Sequence, residues 1–263
     1  MSGLPIWYEL MTTDPKAVAP FYKATLDWDI APDGGTMPNG SEYRMITRAD
    51  GGNAGGVLTL TQDMCDSGAH SGWVTYFDVP DVDASVEQAT GMGATVFMPA
   101  VTMDGVGRMA MLSDPQGAPF YVMTSTPPES GVDPEGAVFK GDTPGRATWN
   151  ELNTDGAAEQ IDFYTELFDW EITGEMEMPG DHIYKFFNLD ERGIGAIGSM
   201  KPEGMPNAWL PYFRVEDIAA AKRAVEGNGG KVMMGPMEVP GNDMIIVACD
   251  PSGAAVGLVG ARG

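Results

Sequence analysis

Two stretches, Trp7-Tyr8-Glu9-Leu10-Met11-Thr12 and Trp149-Asn150-Glu151-Leu152-Asn153-Thr154, carry the same pattern, Trp-x-Glu-Leu-x-Thr. At the same offset Phe21-Tyr22 answers to Phe163-Tyr164 and Leu26-Asp27-Trp28 to Phe168-Asp169-Trp170, while Asp14 meets Asp155 one residue early. Farther on, Trp73-Val74-Thr75-Tyr76-Phe77 matches Trp209-Leu210-Pro211-Tyr212-Phe213 at a shorter offset. Asp114-Pro115-Gln116-Gly117-Ala118 matches Asp250-Pro251-Ser252-Gly253-Ala254 at that shorter offset too, so the second copy has lost residues in between. Order kept over so many positions identifies a tandem duplication. The chain is read as two similar domains, 1–125 and 146–263. The segment 126–145 that joins them is rich in Pro, Gly and acids, has no periodicity and reads as a linker.

Each copy divides again. Residues 5–11 read as a strand, and Asp14 followed by Pro15 is a helix-start signature. Val18, Phe21, Tyr22 and Leu26 fall at helical spacing and would bury one face, with Pro20 expected to bend the helix. Strand-like runs follow at 42–48 and 54–61. The pattern then restarts, with a strand from Trp73 to Val79, a helix capped by Asp81, and strands near 94–97, 107–113 and 118–124. The expected fold is α+β, with helices packed outside curved antiparallel sheets.

The totals narrow the function. With 15 Lys+Arg against 38 Asp+Glu, the 263-residue chain carries a formal net charge of -23. Such a field repels phosphate backbones and anionic lipid, so neither nucleic acid nor membrane is expected as a partner. No apolar run approaches the roughly 18 residues of a membrane span. The start, MSGLPIWYELMTTDP, lacks the basic and apolar regions of a signal peptide. Cys65, placed in a polar loop, and Cys249 form no C-x-x-C motif, which fits a reducing cytoplasm.

Trp-x-Glu-Leu-x-Thr-x-Asp, then Phe-Tyr, then Leu-Asp-Trp, with a later Asp-Pro-x-Gly-Ala, resembles the vicinal oxygen chelate superfamily. That superfamily includes glyoxalase I, extradiol dioxygenases and bleomycin-resistance proteins. The resemblance is closest to two-domain bacterial glyoxalase-like proteins. It implies two βαβββ units per half, rolled into a cup that holds a small molecule. It also places metal ligands at positions held here by Trp7 and Trp149, Val74 and Leu210, and Tyr121 and Gly257. Indole, aliphatic and lone phenol groups make no divalent-cation site, so no cofactor is expected and a divalent metal is not. His70 and His182, the only histidines, fall on none of these positions and read as surface or loop residues.

Alternation along a strand points Trp7, Glu9 and Met11 into the first cup if Tyr8 and Leu10 pack under the helix; Trp149, Glu151 and Asn153 do the same in the second. A carboxylate among aromatics is a candidate general acid or base, and equally a structural acceptor of hydrogen bonds from tyrosine, arginine or backbone. Tyr43-Arg44 and Tyr184-Lys185 place a phenol and a cation near each cup. Arg108, whose counterpart is Met244, is a candidate partner for Glu9 and favours the first half as the active pocket. Trp28, Trp73, Trp170 and Trp209 read as core or interface aromatics. Glu9, Glu151 and Arg108 are thus the catalytic candidates, and Trp7, Tyr43, Arg44, Tyr121, Trp149 and Tyr184 the ligand-binding ones.

Four functions follow. The leading expectation is a metal-free protein, monomer or homodimer, binding a hydrophobic or aromatic small molecule. The alternative is a metal-independent lyase, isomerase or hydrolase using Glu9 or Glu151. A metal-dependent glyoxalase or dioxygenase is disfavoured by the missing ligands. An interaction protein with a basic partner rests on the net charge alone.

Overall fold

The computed structural model describes residues 2–37, 39–126, 138–201 and 205–263. The first half contains β1 (Pro5–Thr12), α1 (Pro15–Leu26), β2 (Asp29–Ile30), β3 (Gly35–Thr36), β4 (Glu42–Thr47), β5 (Asn53–Thr59) and α2 (Gln62–Asp66). It continues with β6 (Gly72–Asp78), α3 (Val82–Gly91), β7 (Thr95–Met103), β8 (Gly107–Ser113) and β9 (Pro119–Ser125). The second half repeats the plan as β10 (Ala147–Asn153), α4 (Ala157–Leu167), β11 (Trp170–Glu175), β12 (Tyr184–Leu189) and β13 (Arg192–Gly198). Then come β14 (Ala208–Asp217), α5 (Ile218–Gly227), β15 (Lys231–Glu238), β16 (Met244–Cys249) and β17 (Ala255–Ala261). Residues 127–137 of the expected linker lie outside the described residues.

The strands form two open, curved sheets. One has nine strands, in the order β2-β4-β5-β1-β6-β9-β8-β7 with β3 beside β4; the other has eight, in the order β11-β12-β13-β10-β14-β17-β16-β15. The sheets are mixed, where antiparallel ones were expected. In every βαβββ module the last strand lies parallel to the first: β5 on β1, β9 on β6, β13 on β10 and β17 on β14. A helix after the first strand reverses the chain, and the antiparallel meander that follows brings its final strand back in the starting direction. No helix among the described residues is long and apolar enough to cross a membrane.

Local chemistry explains the helices. The Asp14 carboxylate accepts from the backbone N–H groups of Lys16 and Ala17, both at 3.1 Å, and Asp81 caps α3 through Ala84 N–H at 3.1 Å. Val18, Phe21, Tyr22 and Leu26 are all buried, and α1 runs unbroken through an exposed Pro20. The counterpart cap at Asp155 does not form: α4 has no side-chain cap, and Asp155 pairs with Lys201 at 3.1 Å. Cys65 sits in the short helix α2, not in a loop.

Two compact units result, and each draws one module from each half. One unit gathers Met1–Ile6, Thr75–Gly136 and Trp149–Leu210; the other Trp7–Val74, Ala137–Thr148 and Pro211–Gly263. In the first, Tyr164 donates its hydroxyl to Asp114 Oδ2 (3.1 Å) and accepts from Trp209 Nε1 (3.0 Å), while Trp170 Nε1 donates to the Gly3 carbonyl (3.0 Å). In the second, Tyr22 donates to Asp250 Oδ2 (2.9 Å), Trp73 Nε1 donates to Tyr22 (3.0 Å), and Trp28 Nε1 donates to the Gly145 carbonyl (2.9 Å). The same motifs meet with the halves exchanged. The Asp-Pro-x-Gly-Ala turn supplies its part through backbone geometry: Asp114 Oδ1 accepts from Gln116 and Ala118 N–H, both at 2.9 Å, and Gly117 holds φ 92°. Burial first, then the adjacent carboxylate, pushes the Tyr22 and Tyr164 hydroxyls well up, so they remain donors. Trp28, Trp73, Trp170 and Trp209 are all buried, as core aromatics should be.

Candidate functional site

Within the first half, β1 and β4 flank β5. Glu9 lies opposite Gly56 of β5, and Gly56 lies opposite Met45 of β4. Trp7 Nε1 donates to the Tyr43 hydroxyl at 2.7 Å, and Tyr43 is hydrogen-bonded to Glu9, making an indole–phenol–carboxylate relay. Burial, and next the Glu9 charge, raises the Tyr43 hydroxyl well above its ordinary value; the Trp7 bond opposes them. A Cβ at Gly56 would run into the Tyr43 hydroxyl, so this glycine lets the ring lie across β5. Glu9 is buried, as are Met11 and Leu58 beside it.

The second half builds the same relay in a more open setting. Tyr184 donates to Glu151 Oε2 at 2.7 Å, Asn153 Nδ2 donates to Glu151 Oε1 at 2.9 Å, and Trp149 Nε1 approaches the Tyr184 hydroxyl at 3.4 Å. Burial, followed by Glu151, pushes the Tyr184 hydroxyl far up. Between β10 and β12 runs β13, where Ala196 faces Glu151 and Phe186, and Gly198 faces Asn153 and Tyr184. Phe186 completes an aromatic corner, its centroid 6.0 Å from Trp149 and 5.7 Å from Tyr184 at interplanar angles of 71° and 81°. Trp149, Glu151, Asn153, Tyr184 and Phe186 are all half-buried. Where the first half has Met11, Met45 and Leu58, the second has Asn153, Phe186 and Gly198.

Of the expected site residues, Trp7, Glu9 and Tyr43 come together, and so do Trp149, Glu151 and Tyr184. Arg44 does not join its neighbour Tyr43. Adjacent strand residues face opposite ways, and Arg44 lines an outer groove with Lys16, Lys23 and Trp28, paired with Glu42 at 2.8 Å. Arg108 was expected to serve Glu9. Its guanidinium instead engages both Asp83 oxygens, at 2.6 and 2.7 Å, and Thr102 at 3.0 Å. This removes the reason for favouring the first half. Tyr121 stacks on Tyr76 at 4.0 Å and 9°, whereas its counterpart Gly257 is covered by the Tyr212 ring, which a Cβ there would strike. Phe186 was missed, although Tyr184-x-Phe186 has the two-residue period that puts both rings on one face of a strand.

The family's metal does not fit these residues. The positions that the resemblance assigns to ligands hold indole, aliphatic, phenol and glycine. Among the described residues no three His, Cys, Asp or Glu side chains gather as a ligand set. His70 and His182 are exposed in loops, His182 Nδ1 lying 3.2 Å from Ser199 Oγ.

Comparison with known proteins agrees with this architecture. Residues 7–123 match the model of a glyoxalase-like domain, and residues 146–258 that of the Glyoxalase/Bleomycin resistance protein/Dioxygenase superfamily. The chain is 31% identical over 255 residues to "Putative glyoxylase CFP32" of Mycobacterium tuberculosis, covering 96% of this chain and 92% of that protein. It is 30% identical over 281 residues to the Anthracycline biosynthesis protein DnrV of Streptomyces peucetius, covering 99% and 94%. Among solved structures, the 2,3-dioxygenase LapB from Pseudomonas sp. KL28 shares the fold with TM-score 0.59 and 18% identity, over 100% of this chain and 94% of that one. The Mn(II)-bound glyoxalase from Novosphingobium aromaticivorans does so with TM-score 0.64 and 14% identity, over 100% and 84%. A duplicated βαβββ plan, matched by family models in both halves and by relatives along nearly its whole length, places this chain in the glyoxalase/bleomycin resistance/dioxygenase superfamily.

Proposed function

We propose that this chain binds a hydrophobic or aromatic small molecule against its sheets and does so without the family metal. The observation that carries the reading is the Trp–Tyr–Glu relay, built in both halves where the first-strand metal ligand of the family would stand. Its parts suit recognition: aromatic faces, a small-residue strip on β13, and a few oriented polar groups. The relative named for anthracycline biosynthesis supports a flat, polycyclic aromatic ligand.

A second reading rests on the Tyr184–Glu151 bond. A carboxylate held by a phenol and an amide, half-buried beside bound substrate, can take a proton from carbon or oxygen and return it elsewhere in a metal-independent lyase, isomerase or hydrolase.

One titration separates the readings. A water-soluble sulfonate-free anthraquinone added to chelator-dialysed chain should quench tryptophan fluorescence saturably, and Trp149→Phe should weaken the quenching about threefold or more. Binding that appears only after a divalent metal is added would overturn the metal-free reading, and an absence of saturable binding would overturn the ligand class. Conversion of bound probe that is lost in Glu151→Gln, with affinity kept, would favour the enzyme.

A further inference from the structure

We infer that α4, the end of α3 and the first Asp-Pro-x-Gly-Ala turn together form a binding groove for a linear aliphatic polyamine. The groove uses no residue of either Trp–Tyr–Glu relay, so it stands apart from the aromatic-ligand reading above.

A groove of about 300 Å³ is lined on its apolar side by Met92, Pro115 and Phe163, and on its polar side by Glu159, Gln160, Asp162 and Glu166. All of these residues belong to one compact unit. The walls are tied together. Gln88 Nε2 donates to the Glu166 carbonyl at 2.6 Å, Asn207 Nδ2 to the Gln116 carbonyl at 2.8 Å, and the Tyr164 hydroxyl to Asp114 at 3.1 Å.

Glu159, Asp162 and Glu166 are exposed and stand at i, i+3 and i+7, which puts three carboxylates on one stripe of α4. Among the described residues no cation pairs with any of them. The last turn of α4 holds no basic residue, so Glu166 faces the negative end of the helix dipole. Like charges at these spacings repel one another as well, and bound cations relieve both penalties.

Along the helix axis the carboxylates are spaced by about 4.5 and 6 Å, at about 1.5 Å per residue. Linkers of three and four methylenes hold their nitrogens about 5 and 6 Å apart, and the methylenes suit the apolar side of the groove. Among the described residues no three acidic side chains gather as a metal site, so charges strung along a chain fit better than one divalent ion.

A buried group points the same way. Gln160 is only 1% exposed, lines the groove, and its Oε1 has no hydrogen-bond partner. An unsatisfied buried carbonyl is costly, and glutamine's broad terminal torsion lets it turn to an ammonium in the groove. The core does not require it. In the repeat, Glu159, Gln160, Asp162 and Glu166 answer to Ala17, Val18, Pro20 and Ala24, while Phe163 answers to Phe21. The first half thus keeps the packing of this helix and has none of its chemistry.

The test titrates the full chain with spermidine by calorimetry at low ionic strength. One spermidine should bind per chain, and putrescine, which spans one gap, should bind about tenfold more weakly. Glu159→Gln, Asp162→Asn and Glu166→Gln made together should weaken spermidine about tenfold or more. Gln160→Met, which keeps the length and loses the carbonyl, should weaken it about threefold. A control that removes the same charge elsewhere, Asp104→Asn with Glu191→Gln and Glu216→Gln, should leave affinity within about twofold. Urea midpoints establish that each variant is folded. Equal weakening by the stripe and control variants would mean diffuse attraction to a chain of net charge -23 and overturns the inference. Binding indifferent to Gln160→Met overturns it too, and trilysine binding more tightly than spermidine would replace the polyamine with a basic peptide.

Discussion

Asp114 shows how much of this fold one side chain can organise. Its Oδ1 closes the Asp-Pro-x-Gly-Ala turn on two backbone N–H groups, and its Oδ2 takes the Tyr164 hydroxyl, itself held by Trp209. Burial is the largest influence on Asp114 and raises its carboxyl above the ordinary value, against those hydrogen bonds. A folded-state pKa above the unfolded one gives stability that is full below the unfolded value, about 3.9, and is lost as pH rises through the raised value. Asparagine does not titrate. The stability gap between the native chain and Asp114→Asn should therefore be wider near pH 4 than at pH 7, as read from urea midpoints of both chains. A gap that widens toward pH 7 would contradict the burial argument. The same scale shows what the residues alone could reveal. Trp-x-Glu in both copies pointed to the relay, but Arg108 has several acidic residues within reach of any plausible fold, and only the packing chose Asp83.

Helix α1 was readable almost to the residue, because an Asp-Pro start and apolar residues at Val18, Phe21, Tyr22 and Leu26 are local signals. Pro20 was expected to bend or distort it, and the helix runs from Pro15 to Leu26 through that exposed position. A proline there still withholds the N–H that would bond the carbonyl four residues earlier. Pro20→Ala should restore that donor and stabilise the chain by roughly 1–3 kcal/mol in urea unfolding. An unchanged or lowered midpoint would mean that proline's stiffening of the unfolded chain outweighs the missing bond. The strands were legible as alternating runs. Their parallel closures were not, since alternation reports which face a residue takes and not the direction of the neighbouring strand.

The whole molecule is interlocked. The Tyr22 hydroxyl needs Asp250, Trp28 needs Gly145, Tyr164 needs Asp114 and Trp170 needs Gly3, so each compact unit is completed by both halves. We propose the domain bounds 1–125 and 146–263 as units of sequence, not of folding. Cut within the segment 126–145, the two fragments should each lack a cooperative thermal transition when produced alone, and should regain one when mixed at equal concentration. Circular dichroism and size-exclusion chromatography check this. A fragment that melts cooperatively near the native temperature by itself would refute the interlock, because burying a tyrosine–aspartate pair with one partner missing costs about 1–3 kcal/mol per site.

Sequence by itself determined the duplication, the α+β modules, the family and the repeated Trp-x-Glu, since repeat order and two-residue alternation are properties of the chain as written. Tertiary structure alone decided which half completes which core, where Arg44 and Arg108 spend their charge, and that Phe186 joins Trp149 and Tyr184 in the more open site. Those outcomes depend on contacts between residues far apart in the chain, and local spacing carries no information about which distant partner burial will select.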